Sequence, residues 1–138
     1  MGIQQQQRVD VDDLQGAIEG ASDDTVVVVN IGTRGLSLCR EYYAVVPFLH
    51  AADDQVKFVN VDCLQIPDYE TPGKEYLGKI LDKDYRIPTT FFFVRGQLVE
   101  TIVGYGSHTK RELRSAIARG QSATTGAPFR NEPIVINA

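Results

Sequence analysis

Cysteine is scarce in this 138-residue chain: Cys39 and Cys63 are the whole supply. Two thiols are too few for a disulfide scaffold and point to a reducing compartment. No C-x-x-C occurs, and the position three beyond Cys39 is Tyr42. Dithiol exchange needs a second thiol to resolve the mixed disulfide, so the stretch Cys39 to Tyr42 lacks the usual two-cysteine reaction. Histidine is as rare, with His50 and His108 alone. No metal-ligand spacing and no nucleotide loop is present, so no cofactor is expected. Positive charge is not in excess either: the net charge is −4 and the pI near 5.1. The whole chain is therefore no electrostatic glove for nucleic acid, and any RNA contact is expected to be local or indirect. No apolar run is long enough to span a membrane. The first thirty residues hold one basic residue, Arg8, against Asp10, Asp12, Asp13, Glu19, Asp23 and Asp24, which is wrong for a mitochondrial transit peptide. Gln6 stands where a Met-Gly myristoylation motif needs Ser or Thr. The chain reads as soluble and intracellular, without a membrane partner or a small-molecule substrate.

What is present is enough apolar residue, 43%, for one compact core. The expected domain covers residues 9–120, behind a loose tail at 1–8 and before an extension at 121–138. Val11, Leu14, Ala17 and Ile18 have helical spacing between Asp10 and Gly20, with acids at the positive end. Thr25 to Ile31 is a valine-rich strand without polar alternation, so it belongs at the centre of a sheet covered on both faces. A loop from Gly32 to Leu38 leads into a helix from Cys39 to Ala52, kinked at Pro47. Gln55 to Val61 is the next strand, and strand–helix–strand in this order makes a right-handed parallel crossover. Lys74 to Leu81 has room for one short helix in a stretch broken by Pro67, Pro72 and Gly73. Phe91 to Val94 and Leu98 to Val103 form a hairpin around Arg95-Gly96-Gln97. Thr109-Lys110-Arg111-Glu112 has the capping-box pattern and opens a last helix, stopped by Gly120. The fold class is α/β, a mixed central sheet with helices on both faces.

Four features carry candidate chemistry. Pro88 precedes a strand and cannot donate to a ladder, so it reads as a cis proline that leaves backbone free for an extended peptide, or as an ordinary strand-initiating proline. Cys39 at a helix N-terminus favours thiolate and is the sole catalytic candidate, against the plainer reading of a buried inert thiol. A Cys39–Cys63 bridge is conceivable, although sequence cannot bring the two α-carbons together. The last helix carries Lys110, Arg111, Arg114 and Arg119, with His108 nearby. That patch reads first as a solvated face and second as a contact for RNA phosphate or an acidic partner. The tail holding Phe129 and Ile134 is apolar for a terminus and suits folding back or strand addition.

The valine strand, the loop, the helix with its cysteine and Ile87-Pro88 before an aromatic strand together resemble the thioredoxin frame. Asn30 or Val29 falls where a redox thioredoxin buries an acid, and Ile87 stands where glutathione-binding relatives have Thr or Ser. More narrowly, Val26 to Gly32 with seven positions to Cys39, Val61 to Tyr69, Phe91-Phe92-Phe93 and Tyr105 to Lys110 resemble the DIM (defective-in-mitosis) family. These are small thioredoxin-like proteins of the spliceosomal U5 particle. The match covers residues 10–120 in patches. It departs between Tyr69 and Ile87, where residues are inserted, and at Ile87, where one branch of the family has a second cysteine.

The resemblance implies a nuclear, non-enzymatic part of the pre-mRNA splicing machinery, docked in the tri-snRNP against large scaffold proteins. Its expected contacts are Pro67, Asp68, Tyr69, Phe129 and Ile134. Two rivals remain: a single-cysteine thiol oxidoreductase or isomerase using Cys39, and a thioredoxin-like adaptor in another large complex.

Overall fold

The computed structural model describes residues 6–49, 55–80, 87–106, 109–124 and 134–135. In chain order the elements are β1 (Gln7–Arg8), α1 (Val11–Glu19), β2 (Val26–Gly32), α2 (Ser37–Val45), β3 (Val56–Asp62), α3 (Pro72–Ile80), β4 (Thr89–Val94), β5 (Gln97–Val103), α4 (Thr109–Ala123) and β6 (Ile134–Val135). Short 3-10 turns follow α2 at Val46–Phe48 and β3 at Cys63–Gln65.

The six strands lie in the order β1-β3-β2-β4-β5-β6. β2 and β3 run parallel, as the crossover demands, and β4 and β5 run antiparallel beyond them. Every residue of β2 is buried. Its even positions Val26 and Val28 pack with Tyr42, Phe58, Phe92, Leu113 and Ile117 beneath α2 and α4. Its odd positions Val27, Val29 and Ile31 pack with Leu14, Ile18, Val59, Phe91 and Leu77 beneath α1 and α3. Period-two geometry thus splits one valine run between two cores.

Several boundaries differ from the sequence expectation for physical reasons. α2 starts at Ser37, so Cys39 is its third residue rather than its first. Leu36 is the N-cap and gives no side-chain cap bond, which is why the start carries no sequence signal. Pro47 does not kink a long helix; it sits in the 3-10 turn that ends α2. Gly120 does not stop α4, which runs on to Ala123. A Cβ at Gly120 would meet Val26 Cγ1 at 3.0 Å, so this glycine lets the helix lie close to β2. α3 begins at Pro72, two residues before the expected start. Thr109 uses its hydroxyl to accept the Gly106 N–H at 2.6 Å, a bond directed back into the preceding loop.

The outer strands come from segments read as tail and extension. Gln7 and Arg8 pair with Val59 and Asn60 of β3, and Ile134 and Val135 pair in parallel with Ile102 and Val103 of β5. The β4–β5 turn has two residues at positive φ, Arg95 at 52° and Gly96 at 77°, as a tight hairpin requires. Arg95 also donates to the carbonyls of Ala123 and Thr124 at 3.0 and 2.9 Å, closing the C-terminal end of α4.

Candidate functional site

One end of the sheet gathers the sequence features that carry chemistry. β2 and β3 both finish there, the loop Thr33–Leu36 leads from β2 into α2, and β4 starts there behind a cis Ile87–Pro88 bond. Register pairs Ile31 with Thr89, so Pro88 stands beside Gly32. The Pro88 carbonyl accepts the Gly104 N–H at 2.8 Å, which ties the proline to the strand on its other side.

Cys39 is completely buried. Burial pushes its thiol up from the ordinary value, the backbone N–H of Thr33 partly offsets that, and the Asp62 charge raises it further. A thiolate-favouring helix start is therefore not what this cysteine has. The exposed cap position belongs to Leu36, at 43% relative exposure, three residues earlier. Read as the inner member of a C-x-x-C, Cys39 places that leucine where the outer thiol would be. This spacing was legible in the sequence, had the motif been counted backward from Cys39 rather than forward to Tyr42. Cys39 and Cys63 are both free thiols, so the conceivable bridge between them is not formed.

Asn30, not Val29, is the residue on the cysteine's face of the sheet. It is fully buried, and its amide donates to the Thr90 hydroxyl at 3.2 Å while its oxygen lacks a hydrogen-bond partner. A Cβ at Gly32 would meet Asn30 Oδ1 at 2.9 Å, Cys39 Sγ at 3.0 Å and the Tyr43 hydroxyl at 3.3 Å. These three polar groups converge on a glycine that leaves them room. An amide does not exchange a proton near neutral pH, so the thiol has no base in Asn30.

Leu36, Leu64 and Tyr69 are exposed, the last two at 76% and 72%. Of the residues expected to touch partners, Tyr69 is thus exposed. Asp68 is exposed as well, with its carbonyl accepting from Lys74 Nζ at 3.1 Å, while Pro67 is half-buried. Ile134 lies on the outer strand β6, opposite Ile102 and so at the register of Thr90, two strands across the sheet from the start of β4, and Phe129 is outside the described residues. Arg119 is engaged with Glu100, and His108 is outside the described residues.

A polar cleft of about 160 Å³ opens at the border of β1 and β3, beside α2. Gln6, Arg8, Arg34, Tyr43, Asn60 and Asp62 line it. Sequence reasoning missed it, because its members come from five separate elements and loops. Among the described residues no group of three or more His, Cys, Asp or Glu is arranged to hold a metal.

Among the solved structures that this chain resembles in fold are several thioredoxins. Spinach chloroplast thioredoxin f in its long form matches at a TM-score of 0.67 over 86% of this chain and 88% of its own, with 18% identity. Chlamydomonas reinhardtii thioredoxin f2 matches at 0.64 over 85% and 97%, with 23% identity. The Malassezia sympodialis thioredoxin matches at 0.64 over 86% and 92%, with 22% identity.

The chain has the thioredoxin fold. No family model matches it, and no curated protein matches it in sequence. One end of its sheet holds Leu36, Cys39 and Pro88. Here it offers an exposed leucine, a buried thiol and a cis proline.

Proposed function

We propose that this chain is a non-catalytic thioredoxin-fold protein that works by docking other proteins at the Leu36–Pro88 end of its sheet. The observation that carries the reading is the pairing of an exposed Leu36 at the α2 cap with a fully buried Cys39 behind it. Attack on a disulfide needs an accessible thiolate; a sealed thiol, held protonated by burial and by the Asp62 charge, does not supply one. Leu36, Leu64 and Tyr69 are exposed apolar side chains that a protein partner would cover.

The setting proposed for this docking is the pre-mRNA splicing machinery in the nucleus, against large scaffold proteins of the tri-snRNP. Its support is the ordered set of sequence patches shared with the DIM family. The inserted stretch after Tyr69, now seen to hold α3, adds surface that such an assembly would use.

An insulin-reduction assay coupled to a thioredoxin reductase tests the non-catalytic half. No multiple turnover is expected, and turnover abolished by Cys39→Ser would move the protein to the single-thiol oxidoreductase reading. A native pull-down with sequencing of bound RNA tests the setting. Spliceosomal small nuclear RNA is the expected enrichment, and its absence would favour an adaptor in another complex.

A further inference from the structure

The cleft beside α2 borders the Leu36–Pro88 end-group and shares Tyr43 with it, but its lining is polar and charged. Two of its six lining residues are arginines, and neither the Arg8 nor the Arg34 guanidinium makes a hydrogen bond or ion pair to a described residue. Most of the other lining groups are held in place. Gln6 Nε2 donates to the Tyr43 carbonyl at 2.8 Å, and Gln6 Oε1 accepts from Asn60 Nδ2 at 2.8 Å. One Asp62 oxygen accepts the Leu64 N–H at 3.0 Å. Burial raises the Tyr43 phenol above its ordinary value, Cys39 and Asp62 add to that, and Arg8 and Arg34 partly counter it. The phenol therefore stays protonated near neutral pH and donates.

The walls thus present donors and acceptors together. Arg8, Arg34 and the Tyr43 hydroxyl donate. The second Asp62 oxygen accepts, and the Asn60 amide oxygen, buried beside the cleft, is without a partner. Two guanidiniums and one carboxylate sum to one net positive charge, which a single carboxylate balances and a phosphate dianion exceeds. Guanidiniums match carboxylate geometry in paired fashion. A cleft of about 160 Å³ is well below the roughly 300 Å³ at which drug-sized ligands begin, so it takes a head group rather than a whole metabolite.

We propose that this cleft binds an α-carboxylate with a neighbouring N–H, as found at the C-terminal residue of a polypeptide or in a free α-amino acid. The carboxylate lies between Arg8 and Arg34, and the N–H turns to the acceptors on β3. For a polypeptide ligand this deepens the docking reading above, and the turnover assay that tests that reading leaves the present question standing.

The test titrates the full chain with N-acetyl-dialanine, its C-terminal amide, free alanine and inorganic phosphate. Binding is followed by the NMR signals of the Arg34 Nε–H and the Asn60 side-chain amide. The acetylated dipeptide is expected to give saturable shifts. Its amide should bind about tenfold more weakly, and Arg34→Gln should weaken the acid about tenfold while the backbone spectrum stays folded. Arg8→Gln is the second variant, should the first disturb the fold. Alanine binding as well as the dipeptide assigns a small-molecule source, and binding of the dipeptide alone assigns a polypeptide; both uphold the proposal. Equal binding of acid and amide, tighter binding of phosphate, or no saturable shift at millimolar ligand overturns it.

Discussion

The Arg119 guanidinium holds the Glu100 carboxylate by two parallel bonds, Nη2 to Oε1 at 2.8 Å and Nε to Oε2. Glu100 has a side chain only 1% exposed, so the pair pins α4 to β5 from beneath. Removing one partner of a buried pair strands the other charge. Arg119→Met is expected to lower the unfolding free energy by about 3–5 kcal/mol. Urea unfolding measures it, and a loss below about 1 kcal/mol would show the carboxylate finding water instead.

A second thiol at the α2 cap should restore what the chain lacks. Leu36→Cys would set two cysteines three residues apart, one exposed and one buried behind it. On mild oxidation this variant is expected to lose two titratable thiols that the parent keeps. Mass spectrometry of alkylated protein reads the difference. Persistence of both thiols would mean that the loop Thr33–Leu36 holds the cap too far from Cys39.

Gly73 is a close-approach position. A Cβ there would run into the backbone of Val11 and Asp12. Asp12 Oδ1 also accepts the Gly73 N–H at 3.0 Å, so the start of α3 is seated directly on the start of α1. Gly73→Ala is expected to destabilise by about 3 kcal/mol, although alanine is the better helix former. An unchanged urea midpoint would refute this seating.

Alkaline pH should weaken the fold in two stages. Burial raises both Cys39 and Tyr42 above their ordinary values of 9.0 and 10.0. Each is neutral when protonated, so the folded state keeps a proton that the unfolded chain releases. The stability from this retention is complete below the unfolded values and is lost as pH rises through the folded ones. Unfolding free energy should fall above about pH 9, with a limiting slope near 1.4 kcal/mol per pH unit for each group. Cys63 is raised from the same ordinary value as Cys39, so Cys39→Ala should make the fall above about pH 9 shallower rather than move its onset, with Cys63 and then Tyr42 carrying the rest. Urea midpoints across pH 7 to 11 decide it, and a slope unchanged by the substitution would remove Cys39 from the account.

The thiols themselves should differ in reach. Cys63 is half-buried and Cys39 fully buried. An alkylating reagent is expected to modify Cys63 in the native protein and Cys39 only after unfolding. Peptide mapping after a short exposure distinguishes them, and native labelling of Cys39 would weigh against a sealed thiol.

The central fold was legible because its signals are local and strong. Four consecutive valines name a strand covered on both faces, and Arg95-Gly96 names the hairpin. Where the reading slipped, tertiary contact overrode a local cue. Gly120 marks a helix end by propensity, but its missing side chain admits Val26 and the helix continues. Leu36 has no capping group, so nothing in the sequence marked the true start of α2 and Cys39 was set first in the helix, two positions before its real place. Gln7–Arg8 and Ile134–Val135 are too short to show alternation; only the neighbours they pair with make them strands. The cleft is the extreme case. Its residues lie between positions 6 and 62 and meet through the β1–β3 register and the seating of α2 and its leading loop beside it.

Those two short border strands have a wider consequence. A partner that sought to zip its backbone along the full length of either margin would first have to peel one of them off. Stacking of copies side by side is hindered in the same way. Recognition is thereby steered from the flanks of the sheet to its rim, where loops rather than ladders decide who fits.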